Sequence, residues 1–485
     1  RKILDGLVIG EIDKNPGELS VCCPCLYEQA LAGMYNEKTG YKEVVPRKLT
    51  SWQLKKHGVE RAHAYVMQQG DPPKANQRGT VYDAMRSWKC WYKAKNLYQF
   101  GRFDTKGGLN TPYVLFKAKN ITDPTVRESK WKKARPIAPG TRHPMRAILG
   151  KAGRAWYFAA NQLRTGQFQL PLSRDIPTFL DATYRDLRTL GEVCVDTFDI
   201  EGCFPNMPKT AIEVAMLEIA ETERRQGHEG VWVPRAHSKQ CQWRPPARGG
   251  HNGTWLPWDV LLTILRFTLH NAYVRMPDGR ILWQEQGIPM GDPLSPGMTI
   301  GTCAWMEREW TASIAPGDTA YFRAARYMDD IIIGTVRAEG WDRERFLRDF
   351  TASECYWKPL TLEQGTEGTF LETRFRTLPN GITYRLKNDN ETRKTVWRYH
   401  HYYSGLPYRM KRATLMATLR KVHLMASDSE QLMVSAVAKL QEFLDLKYPV
   451  GILRFMCAIM ARDYSDITWR RIRNTFLSPE LCDIA

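Results

Sequence analysis

The sequence ARYMDDIIIG, residues 325–334, places two adjacent aspartates, Asp329 and Asp330, between an aromatic–methionine pair and three isoleucines. β-Branched and aromatic residues favour strands and aspartates favour turns, so the segment predicts a hairpin over 321–336 with both carboxylates at or near its tip. A turn at the end of a strand is one explanation of such a pair. A metal site is the other, and the remaining sequence has to decide between them.

Two more segments bear on that question. DIEGCFPNMP (199–208) follows a stretch whose composition predicts a buried strand, VCVDTFDI (193–200), and the Gly/Pro-rich QGIPMGDPLSPG (286–297) leads into a helix predicted over 296–312. Phosphoryl transfer with two metal ions requires carboxylates from two separate strands, because one strand cannot surround both ions. Any single aspartate has an ordinary explanation as a cap or turn residue. Together, however, the three segments favour a Mg²⁺ site, with Mn²⁺ as the alternative ion, since Mg²⁺ prefers carboxylate and phosphate oxygens.

The chain as a whole is basic and globular. Its 485 residues are 43% hydrophobic, and 70 Lys and Arg against 52 Asp and Glu give a net charge of +18. This excess favours a polyanionic partner such as nucleic acid, although it also promotes solubility. We find no apolar run of about 18 residues and no zinc-binding spacing among the cysteines, which predicts no membrane span and an intracellular, reducing location.

Apolar periodicity and turn residues predict the other elements. The aromatic, lysine-rich segment 81–100 predicts a helix that is either half-buried with lysines reaching solvent or exposed to nucleic acid. Residues 227–256 are rich in Gly, Pro, His and Trp and are predicted to form a surface insertion. We also expect helices from about Met145, over 208–226 and over 257–272, a hairpin over 273–287, and a helical region after Tyr384.

The three segments resemble the palm motifs of reverse transcriptases. DIEGCF is similar to the first motif, GIPMGDPLSP to the second, and YMDD to the third, where RNA-templated RNA polymerases more often carry GDD. KPLTLEQGTEGTFLETRF (358–375) resembles the lysine-bearing segment and primer-grip turn that follow. FPNMP, MGDPLSP, SGLPYRMK and LDLKYP most resemble the Penelope-like retroelement enzymes, relatives of telomerase, although Asp292 stands where that group usually has Ser.

This resemblance implies the fold class and the domain order. The expected fold is α+β, a right-hand polymerase with an antiparallel palm sheet, fingers and a helical thumb. The implied domains are an N-terminal extension over 1–110, with template or RNA binding as its open function, fingers over 111–190, a palm over 191–384 and a helical thumb and C-terminal region over 385–485.

The resemblance also implies the catalytic residues. Asp199 and Asp329 would bind the ions, and Asp330 would support them less directly; the implied metal set is Asp199, Ile200, Asp329 and Asp330. Phe204 would be the steric gate, because an aromatic ring there would crowd a 2′-hydroxyl and favour deoxynucleotides. An ordinary core phenylalanine is the alternative explanation of Phe204.

A nucleotide pocket and a primer grip follow from the same resemblance. Arg135 would contact the triphosphate, since its fork suits phosphate, with Lys132 and Lys133 as nearby substitutes. Lys358 would protonate or neutralise pyrophosphate, unless it is simply a solvated lysine. The implied nucleotide-binding residues are Arg135, Lys133, Phe204, Gly287, Pro289, Met290 and Lys358, and the implied primer grip is Phe370 and Leu371.

The function implied is that of an RNA-directed DNA polymerase of retroelement origin. Its partners would be an RNA template, a DNA or RNA primer and dNTPs, and a retroelement origin would place it in the nucleus. Two alternatives are an RNA-dependent RNA polymerase, which Phe204 and YMDD disfavour, and a domesticated, non-catalytic nucleic-acid-binding protein, which the three intact carboxylates disfavour.

Overall fold

The computed structural model describes residues 6–13, 15–43, 45–46, 67–68, 88–117, 134–163, 168–246, 252–388 and 398–478. Lys132, Lys133 and the first part of the predicted helix over 81–100 lie outside these residues.

A four-stranded antiparallel sheet forms the centre of the molecule. Its strands are ordered Phe322–Tyr327, Asp330–Arg337, Glu192–Ile200 and Leu362–Gln364. The first two strands form the predicted hairpin, called here the aspartate hairpin, and the third is the predicted buried strand. The three isoleucines of the aspartate hairpin are fully buried. Ile331 and Ile333 belong to one core cluster and Ile332 to another, so both faces of the sheet are covered. This double burial explains why the sequence shows an unbroken apolar run rather than alternation.

One face of the central sheet packs on the larger hydrophobic core. Ile331 and Ile333 point into this cluster, which also takes side chains from a group of predicted helices. These helices span Arg146–Ala160, Lys209–Arg225, Trp258–His270 and Ser295–Ser313, close to their predicted bounds. Three of them could be predicted from a local apolar stripe, whereas Ser295–Ser313 is buried almost all round and follows the Gly/Pro-rich loop.

The opposite face packs on helix Ile176–Leu187 and on the C-terminal part of the chain. That part contains the strands Thr369–Phe370, Thr373–Leu378 and Gly381–Leu386 and the helices Tyr408–Leu424, Ser429–Asp445, Val450–Asp463 and Ile467–Thr475, which confirms the predicted helical region. The buried Lys411, in the first turn of helix Tyr408–Leu424, holds the preceding loop in place. Its Nζ donates to the carbonyls of Tyr402, at 2.5 Å, and Ser404, at 2.7 Å. None of the helices in the described part of the chain is long and apolar enough to cross a membrane.

A second sheet joins residues from both sides of position 110. Its strands are ordered Asn15–Cys22, Val8–Asp13, Tyr113–Lys117 and Arg135–Ile137, and helix Pro24–Met34 packs beside them. Tyr41–Glu43 likewise pairs with Ile281–Gln284, which forms the predicted hairpin with Tyr273–Arg275. The described N-terminal strands show no clear pattern in the sequence. They are held in the fold because they pair with strands that lie far from them along the chain.

Residues 227–256, predicted as a surface insertion, contain a strand pair as well as exposed residues over 235–240. Strands Gly230–Pro234 and Gly253–Pro257 pair antiparallel, and their Val231, Val233 and Leu256 side chains are buried in the larger core. Composition does not reveal these strands, because the Gly and Pro residues of the segment dominate it and the buried apolar residues are few.

In the described part of the aromatic segment, helix over 88–94 is followed by a 3₁₀ turn at Leu97–Gln99, so the helix ends before residue 100. Trp88, Trp91 and Tyr92 are buried in the larger core, whereas Lys93 and Lys95 are exposed. For these residues the half-buried helix is the correct alternative, because the buried rings cannot stack on bases.

Candidate active site

The strand register brings the two aspartate segments together. Asp330 pairs directly with Asp199 in the antiparallel ladder, and the Ile200 backbone N–H donates to the Asp329 carbonyl at 2.9 Å. Directly paired residues of antiparallel strands project from the same face of a sheet. The carboxylates of Asp199 and Asp330 therefore share one face, at the end of the sheet where the aspartate hairpin turns.

The turn of the aspartate hairpin is tight and strained. Tyr327 pairs with Asp330, which leaves only Met328 and Asp329 in the loop. Met328 has φ +60°, a left-handed conformation that costs a side-chain-bearing residue free energy and clusters at functional sites. Arg326 stabilises the turn from below, because its Nη1 donates to the Met328 carbonyl at 2.9 Å.

A buried ion pair holds Arg326 in place. Arg326 and Glu307 are both fully buried, and the guanidinium contacts the Glu307 carboxylate through Nε and Nη2. The carboxylate also accepts from the Phe168 N–H and the Tyr356 hydroxyl, each at 2.8 Å. Burial opposes the charge on Arg326, but the Glu307 carboxylate outweighs it and raises the pKa of the guanidinium. The motifs of the sequence do not reveal this pair.

A further carboxylate lies next to Asp199. Strand Leu362–Gln364 flanks Glu192–Ile200 on the side away from the aspartate hairpin, and Glu363 pairs directly with Asp199. Three acidic residues, Asp330, Asp199 and Glu363, thus follow one another across three neighbouring strands. Sequence reasoning missed Glu363, whose one local signal is its place within the segment that follows the third motif.

The acidic residues at this end of the sheet are of the type that hard divalent cations bind. Asp199, Asp329 and Asp330 offer carboxylate oxygens, the ligands Mg²⁺ prefers. Among the described residues, no three or more Asp, Glu, His or Cys side chains are grouped closely enough to hold a metal ion by themselves. That is compatible with Mg²⁺, which keeps several waters and commonly takes one or two carboxylates plus substrate phosphates. The Ile200 side chain is a hydrocarbon without a donor atom, so Ile200 could contribute only its backbone carbonyl oxygen.

The 286–297 loop packs against the segment that follows Asp199. The Ile288 N–H donates to the Phe204 carbonyl at 2.9 Å. Gly287 has φ +71°, and a Cβ added there would lie 2.2 Å from the Pro205 carbonyl oxygen, so only glycine permits this approach. The Phe204 side chain is partly buried and packs against the larger core.

Pro289, Met290 and Arg135 meet at the other side of this loop. The Pro289 carbonyl accepts from the Ser295 hydroxyl at 2.7 Å, and the Met290 carbonyl accepts from the Ala138 N–H at 2.7 Å. Arg135 Nη1 lies 3.9 Å from the Met290 sulfur, while Arg135 Nε lies 2.9 Å from a carboxylate oxygen of Asp13. The predicted triphosphate arginine is thus near the loop and is ion-paired with the N-terminal sheet.

Asp292, the residue that departs from the family pattern, is buried below the loop. Its carboxylate accepts from the Leu294 N–H at 2.8 Å, just before helix Ser295–Ser313. Burial raises the pKa of Asp292 to about 6, although the hydrogen bond from Leu294 opposes that rise. The residue therefore caps a turn, and its buried carboxylate does not face solvent.

The remaining predicted residues, Lys358, Phe370 and Leu371, follow the aspartate hairpin in the sequence and differ in how exposed their side chains are. Lys358 is exposed in the segment before strand Leu362–Gln364. Phe370 is buried in the same cluster as Ile332, and Leu371 has φ +52° in the two-residue loop of the hairpin that follows. Leu371 thus lies in a tight turn, and Phe370 ends the strand that precedes it.

No protein-family model and no curated protein matches this sequence, but solved structures do. Apo telomerase from Candida tropicalis matches with a TM-score of 0.50 at 10% identity, over 97% of this chain and 69% of that chain. Telomerase from Candida albicans, in complex with a TWJ fragment of telomeric RNA, matches with a TM-score of 0.51 at 11% identity, over 89% of this chain and 78% of that chain. At such low identity these likenesses show the fold alone, a mixed α and β fold similar to that of these telomerase structures.

Proposed function

We propose that this chain is an RNA-directed DNA polymerase that extends a primer 3′-hydroxyl with dNTPs. The observation that carries the proposal is the pairing of Asp199 with Asp330, together with the bond from Ile200 to the Asp329 carbonyl. This pairing brings acidic residues from distant segments to one end of a buried sheet, within a fold that resembles telomerase.

In the proposed mechanism Asp199 and Asp329 would hold two Mg²⁺ ions, with Mn²⁺ as the alternative, and Asp330 would support them. When bound, the ions would activate the 3′-hydroxyl and neutralise charge on the leaving pyrophosphate. The protein contributes positioning. Arg326 fixes the strained turn that carries Asp329, and pre-organised donors lower the barrier because no reorganisation is needed during the reaction.

The nucleotide pocket would lie between the 286–297 loop and Phe204. Gly287 and Ile288 hold the Phe204 backbone in place, so its ring would have a fixed position against the sugar of the incoming nucleotide. Arg135 would contact the triphosphate, and Lys358 would neutralise pyrophosphate. Phe370 and Leu371 would support the primer.

The template would be RNA, and the motifs favour a Penelope-like retroelement origin with a nuclear location. The net charge of +18 suits such a polyanionic partner, because each phosphate neutralised by a lysine or arginine releases counterions.

Primer extension on an RNA template with separate dNTP and NTP pools tests this function. We expect extension by dNTPs with Mg²⁺ and weak use of NTPs. Phe204→Val should raise NTP use relative to dNTP use by roughly tenfold or more, since removing pocket volume is worth about 1–3 kcal/mol of discrimination. Phe158→Val is the matched control, because Phe158 is also partly buried against the larger core.

Three outcomes would count against the proposal in different ways. Extension with NTPs alone would favour an RNA-dependent RNA polymerase. Binding of primer–template without extension in either ion would favour a non-catalytic binding protein. Equal nucleotide preference in Phe204→Val and wild type would leave Phe204 as an ordinary core residue.

A further inference from the structure

A basic cavity of about 390 Å³ lies between helix Arg146–Ala160 and the hairpin of strands Gly230–Pro234 and Gly253–Pro257. None of the candidate active-site residues lines it. One face of the helix forms its floor, where Ala147 and Gly150 leave the backbone open, and the hairpin forms its wall. The cavity is therefore separate from the candidate active site.

Every titratable side chain that lines the basic cavity is a cation or a histidine. Two of them lie partly buried at its inner end and three are exposed at its rim. Asp104 is the carboxylate that approaches the rim, 3.3 Å from Arg146, whose side chain is still 60% exposed. The lining basic residues are Arg146, Lys151, Arg154, Arg235 and His237.

The two inner cations bind only neutral oxygens among the described residues. Lys151 Nζ donates to the Phe100 carbonyl at 2.6 Å and to the Thr254 hydroxyl at 2.8 Å. Burial lowers the pKa of Lys151, as expected where no carboxylate offsets it. Arg154 donates to backbone carbonyls of the hairpin, those of Pro234, Ala236 and Lys239. Their positive charge is therefore not neutralised within the cavity.

These contacts fix the shape of the cavity and leave its charge available to an anion. Lys151 and Arg154 hold the helix and the hairpin together, while Arg146 and Arg235 project at the rim. Arginine forks bind phosphate through paired hydrogen bonds, and a cavity of this size accommodates a sugar–phosphate unit. Among anions, a repeating phosphodiester would satisfy several separated cations at once.

We propose that the basic cavity binds the phosphate backbone of a nucleic acid strand at a position distinct from the aspartates. The choice of nucleic acid over other polyanions rests on the proposed function. The cavity would then hold a part of the template or primer that is remote from the growing end, and it would add affinity without adding chemistry.

Equilibrium binding measured by fluorescence anisotropy at several KCl concentrations tests this site, with single-stranded RNA and duplex DNA as separate probes. Arg146→Ala/Arg235→Ala removes two rim charges, and Arg345→Ala/Arg348→Ala removes two exposed charges from helix Arg343–Asp349 as its control. Gly150→Leu fills the cavity without changing charge. Its control is Gly451→Leu, because both glycines are helical and have open space where a Cβ would lie.

We expect both cavity variants to weaken binding of at least one probe, by roughly tenfold at 0.1 M KCl for the double variant, while the controls bind like wild type. The slope of log affinity against log salt should fall by about 0.7–0.9 for each phosphate that the double variant no longer neutralises. A loss confined to one probe assigns the site to that strand type. Equal weakening by cavity and control variants would overturn the inference.

Primer extension at saturating primer–template separates this inference from the proposed function. Normal extension by wild type, with cavity variants that bind like wild type, would overturn the cavity site and leave the polymerase proposal standing. If wild type extends no primer but the cavity variants bind nucleic acid more weakly than wild type, the cavity site is supported and the polymerase proposal is overturned.

Discussion

At the residue scale, the geometry of the candidate site depends on one buried ion pair. Arg326 donates to the carbonyl of the strained Met328, and Glu307 fixes Arg326 together with donors from Phe168 and Tyr356. Removing one partner of a buried pair leaves an uncompensated charge, which is far more destabilising than removing both. The pair therefore links the stability of the fold to the position of Asp329.

Arg326→Met should lower stability by about 3–5 kcal/mol, because Glu307 would remain buried and charged. Arg326→Met/Glu307→Gln should regain much of the thermal midpoint but not the extension rate, since the Met328 carbonyl still lacks its donor. The control is Arg343→Met, which breaks the partly buried pair of Arg343 with Asp196 elsewhere in the same sheet. Recovery of the extension rate together with stability would contradict a positioning role for Arg326.

Asp292 provides a pH-dependent test at the same scale. Its folded pKa of about 6 lies above the ordinary value of 3.8, so the folded chain binds the proton more tightly and stability falls as pH rises through that window. Asp292→Asn keeps an acceptor for the Leu294 N–H without the charge. It should stabilise the protein at pH 8 by up to about 3 kcal/mol, since one pKa unit corresponds to about 1.4 kcal/mol, and the gain should vanish near pH 4.

Thermal unfolding of Asp292→Asn and wild type across this pH range measures that gain. Asp342→Asn is the control, because the Asp342 carboxylate also accepts from a backbone N–H, that of Arg345, but is exposed. A gain for Asp292→Asn that does not change with pH would show that the buried charge is not its cause.

Sequence motifs identify some of these residues and cannot identify others. Asp199, Asp329 and Asp330 stand in patterns that point to metal chemistry. Glu307 is one of several charged residues in a helix, and nothing local indicates that it is fully buried against a residue of the aspartate hairpin. Its role depends on contacts that form only in the folded chain.

At the element scale, the 286–297 loop and the Phe204 segment form one unit. Their approach is closest at Gly287, where a Cβ would overlap the Pro205 carbonyl and where φ is +71°. The loop can therefore transmit any shift in its backbone to Phe204.

Gly287→Ala should separate the loop from Phe204 and raise the KM for the incoming nucleotide. Gly227→Ala is a matched control, because Gly227 has φ +83° but open space around its Cβ. Both variants incur the left-handed penalty of about 1–2 kcal/mol. Only in Gly287→Ala does the added Cβ also overlap a neighbouring backbone carbonyl. This variant should therefore be about 1–3 kcal/mol less stable than the control, as is typical of overpacking. Equal thermal midpoints and KM values would contradict this coupling between the loop and Phe204.

The elements themselves were predictable to different degrees. Helices such as Lys209–Arg225 and the aspartate hairpin follow from local periodicity and turn residues. The pairing of Val8–Asp13 with Tyr113–Lys117 joins segments far apart in sequence, and no local pattern encodes such a partner. Strand pairing is a property of the whole fold, which is also why the N-terminal residues show no pattern in the sequence.

At the scale of the whole molecule, the central sheet is buried on both faces and the acidic residues lie at one of its ends. The fold resembles that of the telomerase structures, and the basic cavity is lined by none of the acidic residues. A nucleic acid strand that contacts both places would be held at two separate points.

The central claim is that the aspartates at the end of this sheet carry out DNA synthesis. The most direct measurement is primer extension on an RNA template with dNTPs and Mg²⁺, by wild type, Asp329→Asn and the exposed-site control Asp349→Asn, with primer–template binding measured in parallel. We predict that wild type and Asp349→Asn extend the primer, and that Asp329→Asn loses at least roughly a thousandfold in rate, because a metal ligand supports several kcal/mol of charge stabilisation. Its binding should stay within about threefold of wild type, since the phosphate contacts remain. Extension by Asp329→Asn at the wild-type rate would contradict the claim.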